Sequence, residues 1–309
     1  MDKLIAMVET ALPVFLALAL GMLCRKKQFV TREGIDTLKK VVVNLTLPFV
    51  LLNAFATAEY SVAALILPAL MFGICCLGLL VGFGAARLFK IKGRLSPFLA
   101  SGFEAGMLGY ALFVLLFPDV SVSTFALPDI GQTLFVFTLY KILMSGKRDF
   151  RAIGRDMVTT PILWAVFAGV LIGATGLYGK LQQWGVSGIL DSATSFLSAP
   201  TGMIILLTVG YDLEPGRIPW KQTGGLIALR MVSMAVCLAV MIGLNRTVLG
   251  GMLFEGAVVL MMILPPPYVI PVFADEPAER GQISSALSAL TLLTMVLFAG
   301  LSVLVGIGA

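Results

Sequence analysis

Leu264-Pro265-Pro266-Pro267-Tyr268-Val269-Ile270-Pro271 sits in the middle of an otherwise apolar run, residues 250–274, and decides the fold. A run of that length is membrane-spanning in character. Its centre is not a continuous helix, because three adjacent prolines remove three N–H donors and push Leu264, Pro265 and Pro266 out of the α region. The carbonyls of Met261, Met262 and Ile263 are therefore expected to lose their helical partners. An unpaired carbonyl in hydrocarbon costs on the order of a few kcal/mol. Interrupted backbone at that depth is tolerated only against protein or around a wet cavity, so the expectation is a broken helix lining a transport site.

A second interruption lies in the first half, residues 97–117, where Gly102-Phe103-Glu104-Ala105-Gly106-Met107-Leu108-Gly109-Tyr110 puts glycines and a carboxylate where lipid would demand leucine. Two broken spans in corresponding positions of two halves point to a transporter's binding site, the alternative for each being a kinked helix with no ligand. The breaks are expected near mid-span, by Met107 and Pro265.

The composition fits that reading. The chain has 309 residues, 59% of them hydrophobic and 13% charged, whereas soluble domains carry about 25% charged residues. It reads as a polytopic all-α membrane protein with one transmembrane domain over 1–309. Met1-Asp2-Lys3 makes a poor signal-peptide start, and the first apolar run is expected to be a retained helix. Cys24, Cys75, Cys76 and Cys237 lie in or beside apolar runs without metal-site or redox spacing, and histidine is absent, which excludes histidine triads, relays and metal ligands. No P-loop, H-E-x-x-H or acidic D-D-x-x-D run occurs, so neither an enzyme nor a bound cofactor is expected.

Ten apolar runs stand out, at about 5–24, 38–57, 62–84, 97–117, 128–146, 160–178, 188–211, 223–245, 250–274 and 282–306. The basic residues sort the loops. Arg25, Lys26, Lys27, Arg32, Lys39 and Lys40 surround the first connection, and Arg87, Lys90, Lys92 and Arg94 the third. Lys147, Arg148, Arg151 and Arg155 fall in the fifth, Arg217 and Lys221 in the seventh and Arg280 in the ninth, against Lys3, Lys180 and Arg246 on the other side. The net charge of +5 is thus a topology signal and not a nucleic-acid signal. By the positive-inside rule the odd connections are cytoplasmic and both termini face outward from the inner, cytoplasmic membrane.

Ten spans divide into two fives, and an odd number per half forces the second half to enter the membrane upside down, an inverted repeat of 1–150 on 151–309. Pro13 and Gly21 of the first span recur as Pro161 and Gly169 of the sixth. Asn44-Leu45-Thr46-Leu47-Pro48 of the second has a counterpart in Phe196-Leu197-Ser198-Ala199-Pro200 of the seventh. The broken fourth and ninth helices are then expected to meet at the bilayer centre.

Leu38 to Ala56, with its N-x-x-x-P before Phe49-Val50-Leu51-Leu52, resembles the second span of the auxin efflux carrier family of membrane permeases. Thr160-Pro161-Ile162-Leu163-Trp164-Ala165-Val166-Phe167-Ala168-Gly169 resembles that family's sixth span, and Ala199-Pro200-Thr201-Gly202-Met203 to Gly210 its seventh. The resemblance implies ten helices in two inverted five-helix repeats, related to the bile acid sodium symporter architecture, and an organic anion as substrate: auxins in plant members, malate or malonate in bacterial ones. Family members commonly carry Asn-x-Gly-x-x-Gly-x-Pro in the fourth span; here Glu104 replaces the Asn and the proline is absent, while Gly106 and Gly109 remain. A carboxylate there repels an anion unless protonated or paired, so either the anion reading weakens or the coupling ion of a secondary active transporter is a proton; sodium coupling and a solute channel or sensor are the alternatives.

Glu104 is the first candidate for chemistry, since an ionisable group inside a span is costly and functional by default, with a structural ion pair as the other reading. It is expected about 10 Å along its helix from the cytoplasmic side, where burial would let it take up and release a proton. Arg230, at about the same depth in the eighth span, is a candidate partner for Glu104 or for a substrate carboxylate. Lys141 is expected to snorkel, and Glu255 to face water. Asn44, Thr46, Asn53 and Ser101 offer neutral oxygens to a substrate or a sodium ion, or ordinary interhelical bonds. Tyr110 and Tyr268 follow the two breaks and either gate the ligand or pack between helices. Pro265, Pro266 and Pro267 form the ninth-span break itself, whose half-helix N-terminus would favour an anion. The expected partners are a small organic acid and the bilayer; a homodimer is left open, and nucleic acid is not expected.

Overall fold

The computed structural model describes residues 2–58, 62–145, 161–213, 216, 218–274 and 276–308. Thr160, the basic residues Lys147, Arg148, Arg151, Arg155 and Arg217, and the boundary between the two expected halves lie outside the described residues. Within them every regular element is helical.

Helix α1 is Asp2–Lys26 and α2 Arg32–Val41; the latter runs through a π turn at Val42–Thr46 into α3, Leu47–Ala56. The wide turn lies where Pro48, which has no N–H for the Asn44 carbonyl, joins the helix. Helix α4 is Val62–Leu88. The first half ends with α5 (Tyr110–Leu116), α6 (Ser123–Phe135), a π turn at Val136–Tyr140 and α7 (Lys141–Ser145). The second half begins with α8 (Pro161–Ala174), bent by 63° into α9 (Leu177–Gln183). It continues with α10 (Ser187–Ser198), α11 (Thr201–Asp212), α12 (Trp220–Thr247), α13 (Glu255–Ile263) and α14 (Pro277–Gly308).

Among the described residues, five helical stretches are long and apolar enough to cross a bilayer: Arg32–Ala56, Ile66–Leu88, Ser187–Asp212, Thr223–Thr247 and Pro277–Val305. The bent pair α8–α9 makes a sixth if it counts as one span. The chain is a multi-pass, all-α membrane protein. The runs at 97–117, 128–146 and 250–274 are assembled from shorter pieces, for reasons visible in their sequences.

The fourth run departs most from expectation. Glu104 does not lie along a helix. A 3-10 turn at Ser96–Ala100 is followed by extended Ser101 and by Gly102 at φ +64°. A π turn at Ala105–Gly109 then leads into α5. The break therefore falls at Ser101–Glu104, ahead of Met107. Gly102 makes it, because a left-handed φ is open to a residue without Cβ, and a Cβ there would stand 3.0 Å from Cγ of Pro267.

Two close interfaces join the halves crosswise. Helix α1 packs on α11, where a Cβ on Gly21 would run into the Leu207 carbonyl. Helix α8 packs on α3, where a Cβ on Gly169 would lie 2.7 Å from the Phe55 Cβ and 2.8 Å from the Leu52 carbonyl oxygen. Backbones approach this closely in membranes only where one residue is small.

Candidate functional site

The two breaks bind each other through the main chain. The Glu104 N–H donates to the Pro265 carbonyl at 2.8 Å, and the Tyr268 N–H donates to Oε2 of Glu104 at 2.7 Å. Prolines 265–267 carry no N–H, so Tyr268 offers the first donor after the proline run, and the carboxylate takes it. The crossing is tight: a Cβ at Gly109 would come within 2.8 Å of both Leu264 and Phe125.

Arg230 is not the partner of Glu104. Its side chain, 2% exposed, donates to the carbonyls of Gly102 (2.7 Å), Leu264 (2.8 Å) and Leu99 (3.3 Å). The physical reason is proximity. Both breaks strand carbonyls beside α12, and a planar guanidinium reaches across from one to the other. Its Nε is buried without a partner. The Ile263 carbonyl accepts from Oγ1 of Thr294 at 2.6 Å, and the Leu264 N–H reaches the Leu260 and Met261 carbonyls at 3.2 and 3.4 Å. Of the three carbonyls expected to lose their helical partners, Met261 thus accepts from the Leu264 N–H and Ile263 from Thr294, and the Leu264 and Pro265 carbonyls within the break also have donors.

Beside the crossing lies a cavity of about 440 Å³, bordered by Glu104, Gly106, Tyr110, Asp129, Gln132, Pro267 and Tyr268 on a mainly apolar wall that includes Leu47, Phe55 and Phe137. Asp129 is 6% exposed; its Oδ2 accepts from the Tyr110 hydroxyl at 2.8 Å, and its Oδ1 is buried with no partner. Gln132 donates through Nε2 to the Phe103 carbonyl in the fourth-span link. The Tyr268 hydroxyl meets Oγ1 of Thr291 at 2.9 Å.

Two further cavities flank this one. Tyr110 also borders a space of about 880 Å³ that reaches Asn53, Asp119, Ser121 and Thr201. Tyr268 also borders a space of about 580 Å³ walled by Arg25, Arg32, Lys39 and Asp212. There Asp212 pairs with Arg32 at 2.5 Å and with Lys39.

Other candidates lie apart from the central cavity. Asn44 is exposed and donates to the Lys40 carbonyl at 2.8 Å. Thr46 is buried with its Oγ1 unpartnered and borders none of the three cavities. Pro265 and Pro266 are buried in the crossing. Ser101 donates to the Cys75 carbonyl, and Glu255 pairs with Arg246 at 2.8 Å. Asp129 and Gln132 were missed by the sequence reading. The expected fifth span, 128–146, has Asp129 at its very start; the helix begins at Ser123, which carries Asp129 nearly two turns inward. The signal was present as one acidic residue in an apolar run.

The family model described as Membrane transport protein matches residues 6–153. An uncharacterized transporter of Methanothermobacter thermautotrophicus is 26% identical over 216 residues, covering 67% of this chain and 68% of that protein. The family match over residues 6–153 and the apolar helices are those of a membrane transport protein. That model is of the auxin efflux carrier type, and the resemblance seen at Leu38 to Ala56 lies within the residues it matches and is borne out there.

Proposed function

We propose that the protein is a secondary active transporter of small organic acids, mono- or dicarboxylates, working by alternating access in the cytoplasmic membrane and coupled to protons. The observation that carries this reading is the hydrogen-bonded crossing of two broken segments beside a ligand-sized cavity that holds two carboxylates. Its described lining includes Glu104 and Asp129 and no lysine or arginine. An organic anion therefore enters together with protons, which cancel the repulsion, while the apolar wall accepts its hydrocarbon part. The three cavities, the central one sharing Tyr110 with one neighbour and Val43 and Tyr268 with the other, supply a path whose two tyrosines act as barriers at the binding position.

The crosswise packing of α1 on α11 and of α8 on α3, each through a glycine in the matching position of its half, supports ten spans in two inverted repeats. With the basic loops inside, both termini face out. One observation favours sodium as the second reading: Oδ1 of Asn53 and Oγ1 of Thr201, both bordering the 880 Å³ cavity, are buried without partners.

The test is uptake of labelled malate, malonate and indole-3-acetate into proteoliposomes, driven by a pH gradient or by a sodium gradient. Accumulation under the pH gradient alone is expected. Accumulation under sodium alone shifts the coupling ion, and flux of none of the acids under either gradient sinks the organic-acid reading.

A further inference from the structure

The central cavity holds two carboxylates in different situations. Oε2 of Glu104 is already committed as the acceptor for the Tyr268 N–H, in a residue whose own N–H is tied to Pro265. Asp129 holds no main chain in place. One of its oxygens is buried and unpartnered, and among the described residues it forms no ion pair. The titratable groups around it are Tyr110 from α5, Glu104 from the fourth-span link and Cys75 from α4. Helix α3 brings none, and α13 brings only Glu255, which Arg246 holds. A carboxylate so placed, facing a cavity whose described lining has no cation, meets its electrostatic need most simply by binding a proton.

We infer that Asp129 is the proton-binding site of this transporter, that Glu104 is a clasp between the two breaks, and that Tyr110 links the charge on Asp129 to the partition between the central and outer cavities. The inference rests on the proton-coupled reading above. A proton from cavity water adds to Oδ1, the site goes from −1 to neutral, and no other covalent bond changes. Oδ2 keeps the Tyr110 hydroxyl, but as a neutral acceptor, and a hydrogen bond to a neutral oxygen is weaker than one to a carboxylate. The Tyr110 ring, which borders both cavities, is therefore held to α6 when Asp129 is charged and freed when it is neutral. Release of the proton to water on the far side restores the charged state.

The experiment compares native protein with Asp129→Asn, Asp129→Glu and Glu104→Gln in proteoliposomes, using the three labelled acids, a pH gradient and, separately, counterflow at several pH values. Asp129→Asn is expected to fall to the passive level under the pH gradient, while its counterflow persists and no longer changes with pH. Asp129→Glu, which keeps a titratable group, recovers part of the accumulation. Glu104→Gln lowers accumulation and counterflow in the same proportion. If Asp129→Asn accumulates acid as the native protein does, the inference falls and proton coupling stands. If Asp129→Asn loses both activities equally while melting at the native temperature in detergent, Asp129 is structural and the inference falls. If the native protein ignores the pH gradient, the inference and the proton-coupled reading fall together.

Discussion

The two broken segments meet at one point but are broken by opposite chemistry. The ninth-span break is made by prolines, which remove donors and leave carbonyls; the fourth-span break is made by Gly102, which turns the chain and removes nothing. The first is therefore short of donors, and what surrounds it is a set of donors: Thr294 on Ile263, Arg230 on Leu264, the Glu104 N–H on Pro265. The second still has its N–H groups, and it also strands the Gly102 and Phe103 carbonyls, which take Arg230 and Gln132. The Arg230 guanidinium donates to carbonyls of both. A proline break and a glycine break can dock on each other because one lacks the donors that the other retains.

That comparison can be broken most forcibly at Arg230. Arg230→Met keeps the bulk of the side chain but leaves carbonyls of both breaks without their donor, so a loss of about 3 kcal/mol or more is expected. It would show as a large drop in the detergent melting temperature, with Arg230→Lys recovering only part of it. A melting curve unchanged by Arg230→Met would mean that the guanidinium does not hold the crossing. Next in size is Gly102→Ala, which should cost about 1–2 kcal/mol for a left-handed residue, and somewhat more from the approach of Pro267. Alanine tolerated at position 102 would show that the break does not depend on positive φ. The smallest effect sharpens the comparison: Thr294→Val removes a donor from the proline break alone and should cost about 1 kcal/mol. Equal losses for Thr294→Val and Arg230→Met would remove the case for a bridging role.

Much of this was legible in the sequence. Apolar length marked the all-helical membrane class and the five long stretches, and the proline run and the Gly102–Gly109 segment marked the breaks, because both signals are local. The point at which the fourth span breaks was displaced, since glycines at 102, 106 and 109 all permit a turn and only the packing of Pro267 selects the first. The partner of Arg230 was not legible. A cation inside a span announces that it needs acceptors, but main-chain carbonyls are written in no residue type. Asp129 was hidden by a misplaced helix start, an error of five residues that put a buried carboxylate at the edge of its span.

The crosswise packing of α1 on α11 and α8 on α3 also bears on how the chain is made. When the ribosome has delivered residues 1–145, the surface of α3 that will receive Gly169 and the stripe of α1 around Gly21 have no protein neighbour; their partners do not yet exist. The first half must wait in the bilayer with those surfaces against lipid until α8 and then α11 arrive. Assembly is therefore completed late in synthesis, when the later helices cover surfaces that the earlier ones have left open.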